Sequence, residues 1–376
     1  MHIGEKIDLK AVAFRKDPKG IRKVYLHSNM SGQWMDYPVP MTFEGSLSNN
    51  RPVYTMSVLP ERNFEFTFYF VNRNGSIDWA DVSRGNGKVF FVQEFNGTVA
   101  FVGSEIRGLV QKGGQGDVMY ELPKALTEMG NNAPVIIPLY KNLASQPAYA
   151  DAKEVEGFRA QVIFHQRKNV VITAKHLNLT GIPVYLLEAD AEDLFTEPYW
   201  GPSNGRPDLE MYDSILLAYG TLNLFMHLKQ PPMIFVISDH HTALMALLMR
   251  AIDPYKEFYA KTALLATFHN MGYQGKYPLS YFEELGIPDT AEMRALVTDG
   301  DEINMLGIMP QVIDQVGDKG NLINAVSKGY TEESRPMRFN DTDLLNRIGG
   351  RFVGILNGIH FMINNPATKN TFFRNY

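Results

Sequence analysis

The chain has 376 residues, enough for two or three domains, and 45% hydrophobic against 20% charged residues is a globular balance rather than a disordered one. The net charge of -5 speaks against a nucleic-acid partner, which calls for a basic face. With no cysteine, disulfides, thiolate zinc sites and cysteine nucleophiles are excluded.

The opening MHIGEKIDLK lacks the apolar run of a signal peptide. No later run reaches the roughly 18 apolar residues of a membrane span, so a cytoplasmic protein without a membrane partner is expected. Residues 1–96 read as β. Ala11 to Phe14, Lys23 to Ser28, Val53 to Val58 and Phe64 to Val71 are short runs rich in β-branched and aromatic residues. Turn signals separate them: Pro18-Lys19-Gly20, Ser31-Gly32, Ser48-Asn49-Asn50 and Asn74-Gly75. Many short strands with polar turns predict a small all-β sandwich.

The texture changes near Gly97. Thr98 to Ser104 is a buried-strand run, followed by a glycine-rich loop and a helical pattern over Asp117 to Gly130. That pattern puts Val118, Leu122, Ala125, Leu126 and Met129 on one apolar face. Strands are expected at Ala133 to Tyr140, Val184 to Ala189, Met233 to Ser238 and Ala263 to Asn270, with helices from about Met211 to Leu228 and from His241 to about Ile252. Strands alternating with helices predict, for residues 97–376, a Rossmann-like doubly wound parallel sheet with helices on both faces.

Three polar groups stand where such a sheet binds ligands, at the carboxyl ends of strands. Lys112-Gly113-Gly114-Gln115-Gly116 lets backbone approach a ligand closely and offers the free N–H groups of a helix start to an anion; a tight strand-to-helix turn is the plain alternative. Ser238-Asp239-His240-His241 can hydrogen-bond sugar hydroxyls, or Ser238 or Asp239 can simply cap a helix. A metal site is not expected there, because adjacent histidines diverge on regular elements and no third ligand is evident. Phe268-His269-Asn270, followed by Gly272-Tyr273-Gln274-Gly275, closes another strand in the same style. In the β region Trp34 and Trp79 lie beside turn residues and serve either as stacking platforms for sugars or as core.

Together these segments resemble the N-terminal half of the glycogen and starch synthases. That family has Ser-Glu, a Lys-Thr-Gly-Gly-Leu-Ala-Asp-Val loop, His-Asp-Trp-His-Thr, Val-His-Asn-x-x-Tyr-Gln-Gly, Thr-Val-Ser-x-x-Tyr-x-x-Glu and Gly-Ile-Leu-Asn-Gly-Ile-Asp. The counterparts here are Ser104-Glu105, Gln111 to Val118, Ser238 to Thr242, Phe268 to Gly275, Ala325 to Glu333 and Gly354 to His360. Residues 1–96 more loosely resemble a starch-binding module, with Trp34 and Ile77-Asp78-Trp79 as its partial signature.

The resemblance implies one half of a glycosyltransferase-B fold, residues 97–376, with the second, C-terminal domain absent beyond Tyr376. It implies retaining transfer of glucose from a nucleotide sugar, ADP-glucose or UDP-glucose, to an α-1,4-glucan such as glycogen or starch. No cofactor or metal is implied. Asp239 and His269 would touch the transferred glucose. Lys112, Gly113, Gly114 and Gln115 would meet the donor, and His241, Asn270, Tyr273, Gln274 and Asn357 the sugar or acceptor. The pattern departs from the family at four places: Gln111 holds the family lysine position, Ser238 and His240 replace a His and a Trp, and Met211-Tyr212 replaces Arg-Phe. By this reading the chain does not transfer glucose alone; it is either a fragment of a longer enzyme or completed by a separate second-domain chain. The rival expectation is a non-catalytic glucan-binding or regulatory protein.

Overall fold

A computed structural model describes residues 7–12, 21–28, 39–46, 52–58, 64–72, 77–79, 87–89, 97–199, 206–316 and 321–357. The chain divides into two compact units, Met1–Phe95 and Asn96–Tyr376.

Apart from Met41, the described residues of the first unit are strand: β1 (Ile7–Val12), β2 (Ile21–Ser28), β3 (Val39–Pro40), β4 (Thr42–Ser46), β5 (Pro52–Val58), β6 (Phe64–Asn72), β7 (Ile77–Trp79) and β8 (Gly87–Val89). They pair antiparallel in two sheets, β1-β5-β4 and β3-β2-β6-β7, with β8 on β6.

The second unit is built on a ten-stranded sheet. Its strands are β9 (Val99–Val102), β10 (Val135–Pro138), β11 (Lys153–Glu154), β12 (Ala160–Val162), β13 (Val170–Leu179), β14 (Ile182–Ala189), β15 (Ile234–Ser238) and β16 (Ala263–Phe268), then β20 (Leu322–Ala325) and β21 (Phe352–Gly354). A separate small sheet holds β17 (Lys276–Pro278), β18 (Thr298–Asp299) and β19 (Glu302–Asn304). The large sheet runs β11-β13-β14-β10-β9-β15-β16-β20-β21, with β12 also on β13. From β14 to β21 every pair is parallel. Counted in chain order, the first six of these parallel strands lie 3-2-1-4-5-6, and the order reverses between β9 and β15. That reversal is where ligands of open α/β sheets bind.

The parallel strands read as continuous apolar runs, and β9 and β10 are buried at every residue, as strands covered on both faces must be. One edge was not predicted. β13 and β14 form a long antiparallel hairpin through Thr180 and Gly181, both at positive φ, the two-residue turn whose twist matches the strands.

Helix α1 spans Gly114–Glu128, α2 Pro207–Leu228, α3 Asp239–Thr242, α4 Leu244–Ala251, α5 Tyr255–Phe258, α6 Ala291–Val297, α7 Met305–Val316, α8 Lys328–Ser334 and α9 Leu344–Arg347. α2 opens on Pro207 with Asp208 and Glu210 in its first turn and ends at Lys229 in the left-handed conformation, a favourable start and a sharp stop. It is buried almost all round, as a central helix should be. None of the described helices is long and apolar enough to cross a membrane.

Two helix expectations need correction. α1 starts at Gly114, so Gly114 and Gly116 fall in its first turn and only Gly113 precedes it. It buries Gln115, Gly116, Met119 and Pro123, while Leu122 and Met129 are exposed. Its phase is set by what its first turn bonds to, described below, and not by its apolar residues. The helix expected over 241–252 is instead two, α3 and α4, beginning at Asp239.

Candidate active site

At the carboxyl ends of β9, β15, β16 and β20 the second unit carries a cavity of about 550 Å³. Its first wall is the turn into α1. Gly113 and Lys112 donate their backbone N–H groups to Glu105 Oε2, the former at 3.0 Å. Gly116 lets the Gln111 side chain pack close, since a Cβ there would stand 2.9 Å from Gln111 Cγ. Gln115 is buried: its Oε1 accepts from Ser104 Oγ at 2.9 Å and its Nε2 donates to Asp239 Oδ2 at 3.1 Å. Tyr199 OH donates to Glu105 Oε1 at 3.2 Å.

Asp239 is the joint of the site. It sits at φ 53°, a left-handed conformation that side chains rarely adopt and that costs of order 1–2 kcal/mol. Its Oδ1 accepts from His269 N at 2.7 Å and from Asn270 N at 3.2 Å. One carboxylate thus ties the ends of β15 and β16 together and anchors the first turn of α1 through Gln115. The helix-cap reading fails, because neither Ser238 nor Asp239 makes a side-chain cap bond to α3.

Behind Asp239 lies a second cluster. His240 Nε2 and His241 Nε2 each stand 3.0 Å from Glu210 Oε1, and Tyr273 OH donates to Glu210 Oε2 at 2.8 Å. The two imidazoles are 3.7 Å apart by ring centres. The expectation that they diverge is overturned: within α3, which opens on Asp239 at positive φ, both rings reach one carboxylate on α2. Burial opposes the charge of Glu210, but hydrogen bonds from His240 and His241 outweigh it and hold its pKa down to about 2. Burial, then repulsion from His241, pushes His240 down to about 4. Gly275, at φ 62°, packs on His240 so closely that a Cβ would come within 2.6 Å of its Cδ2.

His269 lines the cavity, with its Nε2 buried and unbonded. Burial lowers its pKa below 6.5 despite Asp239 and Glu105 nearby. The unfolded chain therefore takes up this proton first as pH falls, so His269 contributes stability that is present above about 6.5 and lost on acidification toward its lower folded pKa. Urea midpoints measured against pH should fall below 6.5, and His269→Gln should flatten that slope; an unchanged slope refutes the assignment.

Of the residues singled out from sequence, Lys112, Gly113, Gly114, Gln115, Asp239, His241, His269, Asn270, Tyr273 and Asn357 all line this one cavity. Gln274 does not. Its Oε1 accepts from Asn304 and its backbone carbonyl from Leu306 N at 2.9 Å, which makes it a brace for the small sheet and α7. Trp34 lies outside the described residues, and Trp79 ends β7. Tyr199 and Glu210 are additions to the sequence reading. Glu210 had a signal: with Asp208 and Asp213 it stands at the start of a long, largely apolar helix, where acids rarely stay buried without a partner.

Residues 98–341 match the family model described as starch synthase catalytic domain. The chain belongs to the starch synthase catalytic domain family. Among relatives of this family, the glycogen synthase of Caldicellulosiruptor bescii is 29% identical over 288 residues, covering 74% of this chain and 55% of the relative. That of Caldicellulosiruptor saccharolyticus is 30% identical over 287 residues, covering 74% and 55%. The chain thus spans about half the length of the curated relatives it matches. The catalytic domain of starch synthase IV from Arabidopsis thaliana, solved with ADP and acarbose, aligns with a TM-score of 0.58 at 23% identity, over 74% of this chain and 55% of that one. The starch synthase fold is therefore shared. The matched span contains every cavity residue named above except Asn357.

Proposed function

We propose that residues 97–376 form one wall of a retaining glucosyltransferase that moves glucose from ADP-glucose or UDP-glucose to an α-1,4-glucan in the cytoplasm. A second domain, in the same polypeptide or in a separate chain, closes the cleft and excludes water. The observation that carries the reading is Asp239: its carboxylate joins His269 and the first turn of α1 at the sheet's reversal point, inside the family match. In this reading Asp239 and His269 meet the transferred glucose. Lys112, Gly113 and Gly114 face the leaving phosphates, whose growing charge backbone N–H groups and an ammonium stabilise. His241, Asn270, Tyr273 and Asn357 meet sugar hydroxyls. Residues 1–96 are read as a β-sandwich that holds glucan through Trp34 and Trp79.

The test is transfer of labelled glucose from each donor to glycogen, by the chain alone and with a candidate second-domain chain. Transfer that His269→Ala reduces at least ~100-fold, the usual scale for losing one well-placed group, supports the reading; no transfer in any combination defeats it. A second reading, a glucan-binding or regulatory protein without chemistry, is favoured by one observation. Among the described residues Lys112 is the only basic side chain other than histidine on the cavity wall, and Glu105 already takes the N–H groups of Lys112 and Gly113. Retention on a glycogen gel without transfer, lost in Trp34→Ala and Trp79→Ala, is its signature.

A further inference from the structure

We infer that Glu210, His240 and His241 form a binding site for one divalent transition-metal ion of the zinc type, open to the cavity. Three side chains from two separate elements offer one ligand atom each, all within 4.8 Å of one another. They are 2%, 3% and 6% exposed. Two histidines and a glutamate are an established ligand set for zinc with one position left open. Donors bound at about 2.0–2.1 Å around one ion stand roughly 3–3.4 Å apart; each histidine Nε2 here is 3.0 Å from Glu210 Oε1. Both rings already turn their Nε2 atoms to the same carboxylate oxygen. Neither Nδ1 has a partner, so the only hydrogen bonds orienting the imidazoles run through the Nε2 atoms toward Glu210.

A second observation is independent of that geometry. The cavity is lined by three carboxylates, Glu105, Asp239 and Glu210, against one ammonium, Lys112. Among the described lining residues the carboxylates outnumber the ammonium by two, a balance that attracts a cation. A dication beside Glu210 offsets that excess and leaves a coordination position facing the cavity, since all three ligands line that space. The site does not depend on glucosyl transfer and can be tested without it.

The full chain, stripped with chelator, is titrated with Co²⁺ and then with Zn²⁺. The expected result is one equivalent of Co²⁺ with visible ligand-field bands of a nitrogen- and oxygen-ligated ion, displaced by Zn²⁺. Glu210→Gln and His240→Ala should each weaken binding at least ~10-fold, whereas His165→Ala, at an exposed histidine elsewhere, should not. X-ray absorption of the wild-type zinc form should show two imidazoles on the metal, a readout that needs no variant. Absence of saturable Co²⁺ bands, fewer than two imidazoles, or affinity unchanged in folded Glu210→Gln overturns the proposal and leaves a hydrogen-bonded cluster only.

Discussion

Asp239→Ala is expected to destabilise the second unit by about 3–5 kcal/mol. The carboxylate accepts from two backbone N–H groups and one buried amide. Hydrogen bonds to a charged acceptor contribute about 1.5–3 kcal/mol each, and donors left buried carry a desolvation cost. Alanine also tolerates the left-handed backbone no better than aspartate does. Against a total of about 5–15 kcal/mol for a domain, this loss is severe. Asp239→Asn should lose less, because its Oδ1 still accepts from His269 and Asn270, while its amide nitrogen faces the Gln115 amide. Urea unfolding, with hydrogen exchange at the His269 and Asn270 amides, reads both effects. An alanine variant within 1 kcal/mol of wild type would show that Asp239 is not the joint.

Gly354→Ala is the second large effect, about 3 kcal/mol, and its cause is purely steric. A Cβ at 354 would stand 2.4 Å from Lys328 Cα and 2.6 Å from both Lys328 N and Ser327 O. Those are backbone atoms at the start of α8, so no side chain can swing aside. The strand β21 and the helix must part instead. The disturbance reaches the site, because Tyr330 of α8 accepts the Met271 N–H through its hydroxyl at 2.7 Å, just past His269. Gly350→Ala, with open space around its Cβ, is the control and should stay within about 0.5 kcal/mol. Equal stabilities of the two variants would refute the argument.

What could be read from the sequence was local. The strands β2, β5, β6, β15 and β16 lie within a few residues of their predicted runs, because β-branched and aromatic clusters between turns carry their own signal. The motif segments also come together as their placement at strand ends required. What stayed hidden depended on contacts distant in sequence. α1 takes its phase from Glu105 and Asp239, so its apolar pattern misled. Lys175, His176 and Asn178 blurred the alternation of β13, and the hairpin to β14 went unread. Glu210 and the two histidines are about 30 residues apart in the chain, and only the fold shows that they share a point. Gln274 kept a motif position but turned to Asn304, which no spacing rule foretells.

The way Glu105 closes on the α1 turn sets a threshold on what that turn can hold. Its carboxylate is a ligand supplied by the chain itself, only seven residues from the nearer N–H it accepts. Tethered so closely, it acts at an effective concentration on the order of millimolar or higher. An anion that used the Lys112 and Gly113 N–H groups would have to displace this resident one, and its apparent affinity there would be its intrinsic affinity scaled by the fraction of time Glu105 stands aside. Competition from Glu105 therefore raises the concentration or charge that any anion needs to occupy those two N–H groups.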